Sequence, residues 1–228
     1  TLTVIRDAEA AIQKKDPSFS IRKLDYDDAA TYKMLGQGET EGVFQLESSG
    51  MKQVLVGLQP QNLEDVIALI SLYRPGPMDS IPTYLRNRHE PDKISYKTPQ
   101  LAHILDVTNG CIVYQEQVMQ IFRELAGFSF GQADNVRRAM SKKKHAVMEA
   151  EREHFVHGCT EPGHECPGCV ANGISEKVAN EIYDEMSSFA SYAFNKSHAA
   201  CYAYVAFQTA YLKCHYPSEF MAALLTSV

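Results

Sequence analysis

A helical repeat of apolar residues recurs along most of this chain and limits what it can fold into. In the segments 51–58, 118–125 and 178–189, apolar side chains return every three or four residues. That spacing places them on one side of an α-helix. Only residues 42–46 and 111–114 offer short apolar runs that suit a strand, and the first of them suits a buried connector equally well. The pattern therefore predicts a mainly α fold, a multi-helix irregular domain with few or no short strands.

Proline, glycine and capping residues indicate where these helices begin and end. Asn62 precedes an apolar helical segment as a candidate N-cap, and Pro60 ends the helix before it. The sequence Arg-Pro-Gly-Pro at 74–77 breaks the next helix, because a residue before proline disfavours the helical backbone. Residues 79–109 are polar and turn-rich, with Pro82, Pro91 and Pro99, so we predict a loop there with one helical turn. Arg74 then lies beside a rigid loop, where a cation is either solvated or positioned for a ligand.

The composition fits a globular domain and excludes several classes. The 228-residue chain is 45% apolar, which is enough for a core, and it has no run of 18 apolar residues, so we expect no membrane span. Its net charge of −6 disfavours a general nucleic-acid coat protein. The chain has no initiator Met and no signal peptide, so we expect a piece of a longer protein. Six cysteines without a secretory signal indicate free thiols in a reducing compartment, and we expect the cytoplasm.

Residues 130–144, FGQADNVRRAMSKKK, carry the densest positive charge in the chain. The five cations are Arg137, Arg138, Lys142, Lys143 and Lys144. An apolar stripe of Ala133, Val136 and Met140 predicts a helix with the arginines at its sides. Two arginines fixed on a helix, followed by lysines on flexible stems, suit a polyphosphate. The alternative is a solvated helix end, since Lys and Arg are favourable near a helix C-terminus.

The composition changes at residues 159–173, CTEPGHECPGCVANG, where four candidate metal ligands occur close together. They are Cys159, His164, Cys166 and Cys169. Three thiols and an imidazole are able to close a tetrahedral zinc site, and the prolines and glycines between them favour tight turns. One hypothesis is a small structural zinc knuckle. The alternative is an exposed loop that happens to hold three thiols.

A long helix is predicted over residues 199–212, where almost every position is small, apolar or aromatic, which indicates burial on several sides. Asn195, Lys196, Ser197 and His198 lie at its predicted N-terminus, and Tyr202 shares a helix face with His198. Exposed N–H groups and the positive end of the helix dipole suit a phosphate there. The alternative is structural, with Ser197 as the cap and His198 packed in the core.

Several catalytic motifs are missing from the sequence. There is no GxxxxGK[ST] phosphate loop, no GxSxG and no HExxH. No pair of aspartates follows a predicted strand, although metal-assisted phosphoryl transfer needs carboxylates to hold its ions. The acidic residues lie instead on predicted helices and caps.

Six blocks of the chain, in unbroken order, resemble the alpha subunit of bacterial replicative DNA polymerase III, a C-family polymerase. They are GVFQLESSGMK (42–52), LYRPGPMDS (72–80), IVYQEQVMQI (112–121), GFSFGQADNVRRAMSKKK (127–144), FASYAFNKSHAACYA (189–203) and LKCHYPSEFMAALLTS (212–227). The resemblance covers nearly all of the chain. Residues 160–169 depart from it and look like an insertion, for which the family gives no general zinc site.

The resemblance implies that residues 1–228 form the fingers domain of a DNA-directed DNA polymerase, a mainly helical part that binds the incoming dNTP and closes over the nascent base pair. It also implies that the metal-binding aspartates belong to the palm, so that Mg²⁺ ligands lie outside this chain and the isolated segment is inactive. The implied partners are primer-template DNA, dNTP, the palm and thumb of the same subunit and, through regions outside this chain, replisome components.

The resemblance also implies roles for individual residues. Arg137 and Arg138 would grip the triphosphate, with Arg74 and Lys142 as further candidates, while Lys143 and Lys144 would meet the DNA backbone. The remaining candidates for the nucleotide and the nascent base pair are Asn195, Lys196, Ser197, His198 and Tyr202. The alternative hypothesis is a non-catalytic helical module in which the basic residues contact a protein or a nucleic acid.

Overall fold

A computed structural model describes residues 1–75, 77–142, 145–190 and 194–227, and gives no side-chain description for residues 141, 145 and 190. The described part confirms the mainly α prediction, because it is built of helices and contains only two isolated β-bridges. The chain divides into two compact units. We call Thr1–Tyr73 with Ser197–Val228 the terminal unit, and Arg74–Lys196 the central unit.

The helices follow one another with short connections. In chain order the described α-helices are α1 (Leu2–Gln13), α2 (Ala29–Gly36), α3 (Ser49–Leu58), α4 (Leu63–Leu72), α5 (Ile81–His89), α6 (Ala102–Leu105), α7 (Gln115–Ala126), α8 (Phe130–Ser141), α9 (His145–His157), α10 (Gly168–Ala171), α11 (Glu176–Ala190), α12 (Lys196–His215) and α13 (Pro217–Thr226). Short 3₁₀ turns lie at Ile21–Lys23, Pro77–Ser80, Pro91–Lys93, Pro99–Leu101 and Asp106–Thr108. None of the helices in the described residues has both the length and the hydropathy needed to cross a membrane.

Side-chain caps fix the starts of α2, α3 and α4 in the terminal unit, the one at α3 being Ser48. The Asp28 carboxylate accepts a hydrogen bond from the Thr31 N–H at 2.8 Å and begins α2. The Asn62 side chain accepts from the Asp65 N–H at 3.0 Å and begins α4. Each cap satisfies a backbone donor that has no partner inside the helix, so the predicted cap at Asn62 is confirmed.

The core of the terminal unit includes contacts between α1 and α13. Val4, Ile5, Ala8 and Ile12 form the buried stripe of α1, and they pack in one cluster with Phe220 and Ala223 of α13. In α12 the residues Ala199, Ala203, Ala206 and Ala210 are buried, so small side chains allow neighbouring elements to approach this helix closely. This part of the unit is therefore held by apolar burial, which is the main favourable term in folding.

The core of the central unit forms around three aromatic side chains from α7, α9 and α11. The ring of Phe122 lies 5.1 Å from that of Phe155 and 6.0 Å from that of Tyr183, both edge to face. The Tyr183 hydroxyl donates to the Met148 carbonyl at 2.6 Å, so the buried phenol keeps a partner. Helix α8 adds Ala133, Val136 and Met140 to the same cluster, which confirms the predicted stripe.

The predicted loop over residues 79–109 is wrong, because α5 and α6 lie within it. Pro82 falls in the first turn of α5, where a missing N–H costs nothing and the fixed φ suits a helix. The sequence interpretation counted this proline as part of a loop, whereas Pro82 marks the start of a helix. Residues 111–114 form no strand, and only Tyr114 makes a bridge, with Phe194. At 42–46 the positive φ values of Gly42 and Gln45 indicate turns.

Candidate functional site

The basic helix α8 begins at a capping box that fixes its orientation. The Ser129 hydroxyl accepts from the Gln132 N–H at 3.3 Å, and the Gln132 side chain accepts from the Ser129 N–H at 2.7 Å. Because Val136 and its neighbours on the stripe are buried, Arg137 and Arg138 lie on the outer side of the helix. The arginine side chains are 18% and 64% exposed, respectively.

One carboxylate contacts both arginines. Asp134 Oδ1 accepts from Arg137 Nε at 3.0 Å and from Arg137 Nη2 at 2.7 Å, while Asp134 Oδ2 lies 2.7 Å from Arg138 Nη2. Hydrogen bonding from Arg137, followed by the charges of both arginines, holds the pKa of Asp134 below its usual value. The three groups together keep one positive charge. The sequence interpretation gave Asp134 no role, although the i,i+3 and i,i+4 spacing was a visible signal.

Arg137 is also held by the first turn of α7. Its Nη1 donates to Gln115 Oε1 at 3.2 Å. The backbone N–H of Gln115 donates to the Phe194 carbonyl at 3.0 Å, in the bridge between Tyr114 and Phe194. Through Gln115, the structure therefore connects Arg137 to the segment that precedes α12.

A carboxylate occupies the N-terminus of α12, where the sequence suggested a phosphate. Glu116 accepts from the Lys196 N–H at 3.2 Å and from Asn195 Nδ2 at 3.0 Å. The Lys196 ammonium lies 5.3 Å from the centre of the Tyr114 ring. Ser197 is not the cap, because α12 already begins at Lys196 and Ser197 is exposed in its first turn.

Arg74 packs on an aromatic ring of the same segment. Its guanidinium carbon lies 3.9 Å from the centre of the Phe194 ring, a cation–π contact. Burial lowers the pKa of Arg74. Within the central unit the structure therefore connects Arg74, Phe194, Gln115 and Arg137 through successive contacts, while Asn195 and Lys196 join through Glu116.

A cleft of about 520 Å³ lies beside these contacts, between the outer faces of α7 and α8. Its lining includes Arg137, Asp134 and Asn195 together with Phe130, whose side chain is largely exposed. The Arg123 guanidinium carbon lies 5.9 Å from the centre of the Phe130 ring. The cleft thus combines charges of both signs with an aromatic face.

The remaining predicted site residues lie elsewhere. Lys142 follows α8 as an exposed C-cap, and Lys143 and Lys144 lie outside the described residues. In the terminal unit His198 is exposed and not in the core, with its ring 4.7 Å from that of Tyr202. Tyr202 in turn stacks on Phe44 at 5.5 Å.

The zinc hypothesis is not supported. Among the described residues no three His, Cys, Asp or Glu side chains converge as metal ligands. Cys159 and Cys166 instead pair through their backbones, and Cys169 is fully buried in the apolar core, where burial raises its thiol pKa to about 12. The described residues do not form a Mg²⁺ site either.

Comparisons with known proteins match nearly the whole chain. The model of the bacterial DNA polymerase III alpha subunit finger domain matches residues 1–163. DNA polymerase III subunit alpha of Thermus aquaticus is 48% identical over 232 residues, covering 99% of this chain and 18% of that protein. The subunit of Staphylococcus aureus strain Mu50 is 46% identical over 217 residues, covering 94% of this chain and 19% of that protein. The chain spans about a fifth of the length of these curated relatives.

Proposed function

Because the chain belongs to the bacterial DNA polymerase III alpha subunit finger domain family, we propose that it binds the triphosphate of the incoming dNTP during template-directed DNA synthesis by a longer polymerase subunit. The site we assign to this role is the outer side of α8, with Arg137 and Arg138 as the contacts. The observation that carries the assignment is that both guanidiniums share one carboxylate, Asp134, while Arg138 is largely exposed.

The chemistry of a triphosphate fits this pair. A guanidinium offers a planar set of donors that matches phosphate oxygens, and such charge-assisted hydrogen bonds are the stronger ones. Arg137 is already held in place by Asp134 and Gln115, so little conformational freedom remains to be lost on binding. Placed cations also stabilise the charge that develops on the leaving pyrophosphate.

Other residues have supporting roles in this proposal. Lys142 is the next exposed cation after α8 and would extend the positive field toward the phosphates. Arg74 would act from its position on the Phe194 ring, and Lys196 from the start of α12. The roles predicted for Ser197, His198 and Tyr202 at the nascent base pair stay predictions, as do those of Lys143 and Lys144 at the DNA backbone.

The proposal leaves metal-assisted chemistry to the rest of the subunit. Its palm would hold Mg²⁺, and its palm and thumb, with primer-template DNA, would be the partners of this segment in the cytoplasm. We therefore expect no primer extension by the isolated chain at any concentration. Extension by pure chain would overturn the assignment of a binding role without catalysis.

The central test is single-turnover primer extension by the full-length subunit with Arg137→Ala and Arg138→Ala combined. Nucleotide concentration is varied, DNA affinity is measured in parallel, and Lys177→Ala serves as a control that removes an exposed cation from α11. We expect nucleotide affinity to fall by at least about tenfold, with DNA affinity unchanged. A loss of DNA affinity and of its salt dependence would instead assign α8 to the DNA backbone. If neither nucleotide affinity nor DNA affinity changes, the cations belong to a solvated helix end and the proposal is wrong.

A further inference from the structure

The first turn of α7 contains three consecutive polar residues that point to three different partners. Gln115 binds Arg137, Glu116 binds the start of α12, and Gln117 turns inward. Gln117 is buried, and all its polar atoms have partners. Its Oε1 accepts from the backbone N–H groups of Val113 and Tyr114 at 2.9 Å each.

The other end of the Gln117 amide anchors the turn to the preceding segment. Its Nε2 donates to the Ile104 carbonyl at 3.1 Å and to the Thr108 hydroxyl at 2.7 Å. A buried polar group with every hydrogen bond made is costly to disturb, because any unmatched partner loses its solvation without replacement. The start of α7 is therefore fixed in position by Gln117.

We propose that this turn, residues 114–117, positions Arg137 for the triphosphate, with Gln115 as the contact and Gln117 as the anchor. The proposal rests on the proposed function. Asp134 lies on the same helix as Arg137 and would move with it. Asp134 by itself therefore cannot fix the guanidinium relative to the rest of the unit. Gln115 holds the guanidinium from a different helix. Its backbone N–H donates to the Phe194 carbonyl, and Gln117 anchors the start of that helix.

The positioning role predicts coupling between Gln115 and Arg137. In the full-length subunit, Gln115→Leu removes the acceptor while keeping a similar size. Gln120→Leu is the control five residues further along α7, where the side chain donates to Glu124 on its own helix. We expect Gln115→Leu to raise the nucleotide KM about fivefold with a smaller change in kcat, and Gln120→Leu to change neither. Adding Gln115→Leu to Arg137→Ala should cost nothing further.

Two results would separate this inference from the proposed function. If Arg137→Ala weakens nucleotide binding while Gln115→Leu behaves like Gln120→Leu, the positioning role is wrong and the triphosphate site stands. If the two substitutions have full and additive effects, Gln115 does not act through Arg137 and the positioning role is again wrong. If Arg137→Ala leaves nucleotide affinity unchanged, the proposed function fails and the positioning role fails with it.

A second inference concerns the cysteines that the function leaves unused. Cys159 and Cys166 face each other as a hydrogen-bonded antiparallel pair, with both reciprocal N–H···O distances at 2.9 Å. Such pairs have Cα atoms about 5.5 Å apart, inside the range of about 4.4–6.8 Å that disulfides span, and their side chains lie on one face. Their Cβ atoms are about 5.5 Å apart, so closing the bond requires the two side chains to approach each other by about 1 Å. Cys159 is partly exposed, while the Cys166 thiol is buried and lies 3.5 Å from the His154 carbonyl oxygen.

We infer that Cys159 and Cys166 form a reversible disulfide when a small-molecule disulfide is present. The Cys159 thiolate attacks the small disulfide and releases one small thiol, leaving a mixed disulfide. The Cys166 thiolate then attacks the Cys159 sulfur and releases the second small thiol. The chain loses two protons and two electrons, and the small disulfide is reduced to two thiols. Excess reducing thiol reverses both steps.

The test is incubation of the reduced chain with oxidised glutathione, followed by cleavage after glutamate and mass spectrometry without reduction. Cleavage after Glu165 separates Cys159 from Cys166 and Cys169, so the disulfide joins two peptides. We expect that link in the unchanged chain and in Cys169→Ser, and its loss in Cys166→Ser. A link that survives in Cys166→Ser, or glutathione adducts without any link, would overturn the inference.

Discussion

Two regions of the central unit carry cations that were expected to meet phosphate, and they are compensated in different ways. On α8 the counter-charge is local, because Asp134 lies three and four residues before the arginines it contacts. At the start of α12 the counter-charge comes from Glu116, eighty residues earlier in the chain. The local carboxylate is shared by two cations and leaves a positive charge, whereas Glu116 accepts from the first backbone N–H of α12 and from the Asn195 side chain. The comparison favours α8 as the phosphate site.

The assignment of the phosphate site to α8 is tested most directly by removing one cation from each region of the full-length subunit. Arg138→Ala should weaken nucleotide affinity about tenfold, because a charge-assisted contact is lost. Lys196→Ala should weaken it less than about threefold, since the ammonium lies over the Tyr114 ring and the Lys196 N–H is bonded to Glu116. Affinity is read from the nucleotide dependence of single-turnover extension. Equal losses in the two variants would contradict the assignment to α8.

Neutralising Glu116 tests whether its carboxylate stabilises the start of α12. Glu116→Gln keeps an acceptor but removes the charge at the start of α12, and we expect a loss of about 1 kcal/mol in the free energy of unfolding. Urea unfolding of the chain measures it, with Glu181→Gln as a control because that carboxylate is partly exposed and lies 4.0 Å from Lys177. A loss no larger than that of the control would show that the carboxylate does not stabilise the helix start.

Neutralising Asp134 should have the smallest effect and a defined pH dependence. Asp134→Asn should cost about 0.5 kcal/mol at pH 7, because the pair is local and close to solvent. The folded pKa of Asp134 is lowered, so its contribution is present above the unfolded pKa near 4 and is lost as the pH falls through the folded value. The difference in urea midpoint between the unchanged chain and the variant should therefore persist from pH 7 to about pH 4 and then vanish. A difference that grows on acidification would refute the lowered pKa.

The sequence predicted features that depend on interactions between residues close together in the chain. Helix α7 covers the apolar segment predicted at 118–125 and ends at Gly127, with φ 74°, because an apolar stripe and a C-terminal glycine both act locally. The cap at Asn62 is local as well. Pro82 misled because proline both begins and breaks helices, and only its position in the first turn of α5 decides which. The α8 stripe was predicted, and Asp134 was within reach of the same spacing rule.

Apart from those of Asp134, the missed contacts of the site are long-range. Nothing in the sequence indicates that Gln115 meets Arg137 or that Glu116 reaches Lys196, because tertiary packing alone brings those pairs together. The zinc hypothesis failed for the same reason. The spacing of Cys159, Cys166 and Cys169 gives ligand types but no distances, and the fold buries Cys169 in the core.

The contact between Arg74 and Phe194 has a consequence for protein engineering. The central unit is one uninterrupted stretch, Arg74–Lys196, and this contact joins its first residue to a residue two positions before its last. A compact unit whose two ends lie close together is suited to insertion into another protein or to circular permutation. We therefore expect residues 74–196 to be expressible as a separate module, joined end to end by a short glycine-rich bridge, with new termini placed in an exposed turn.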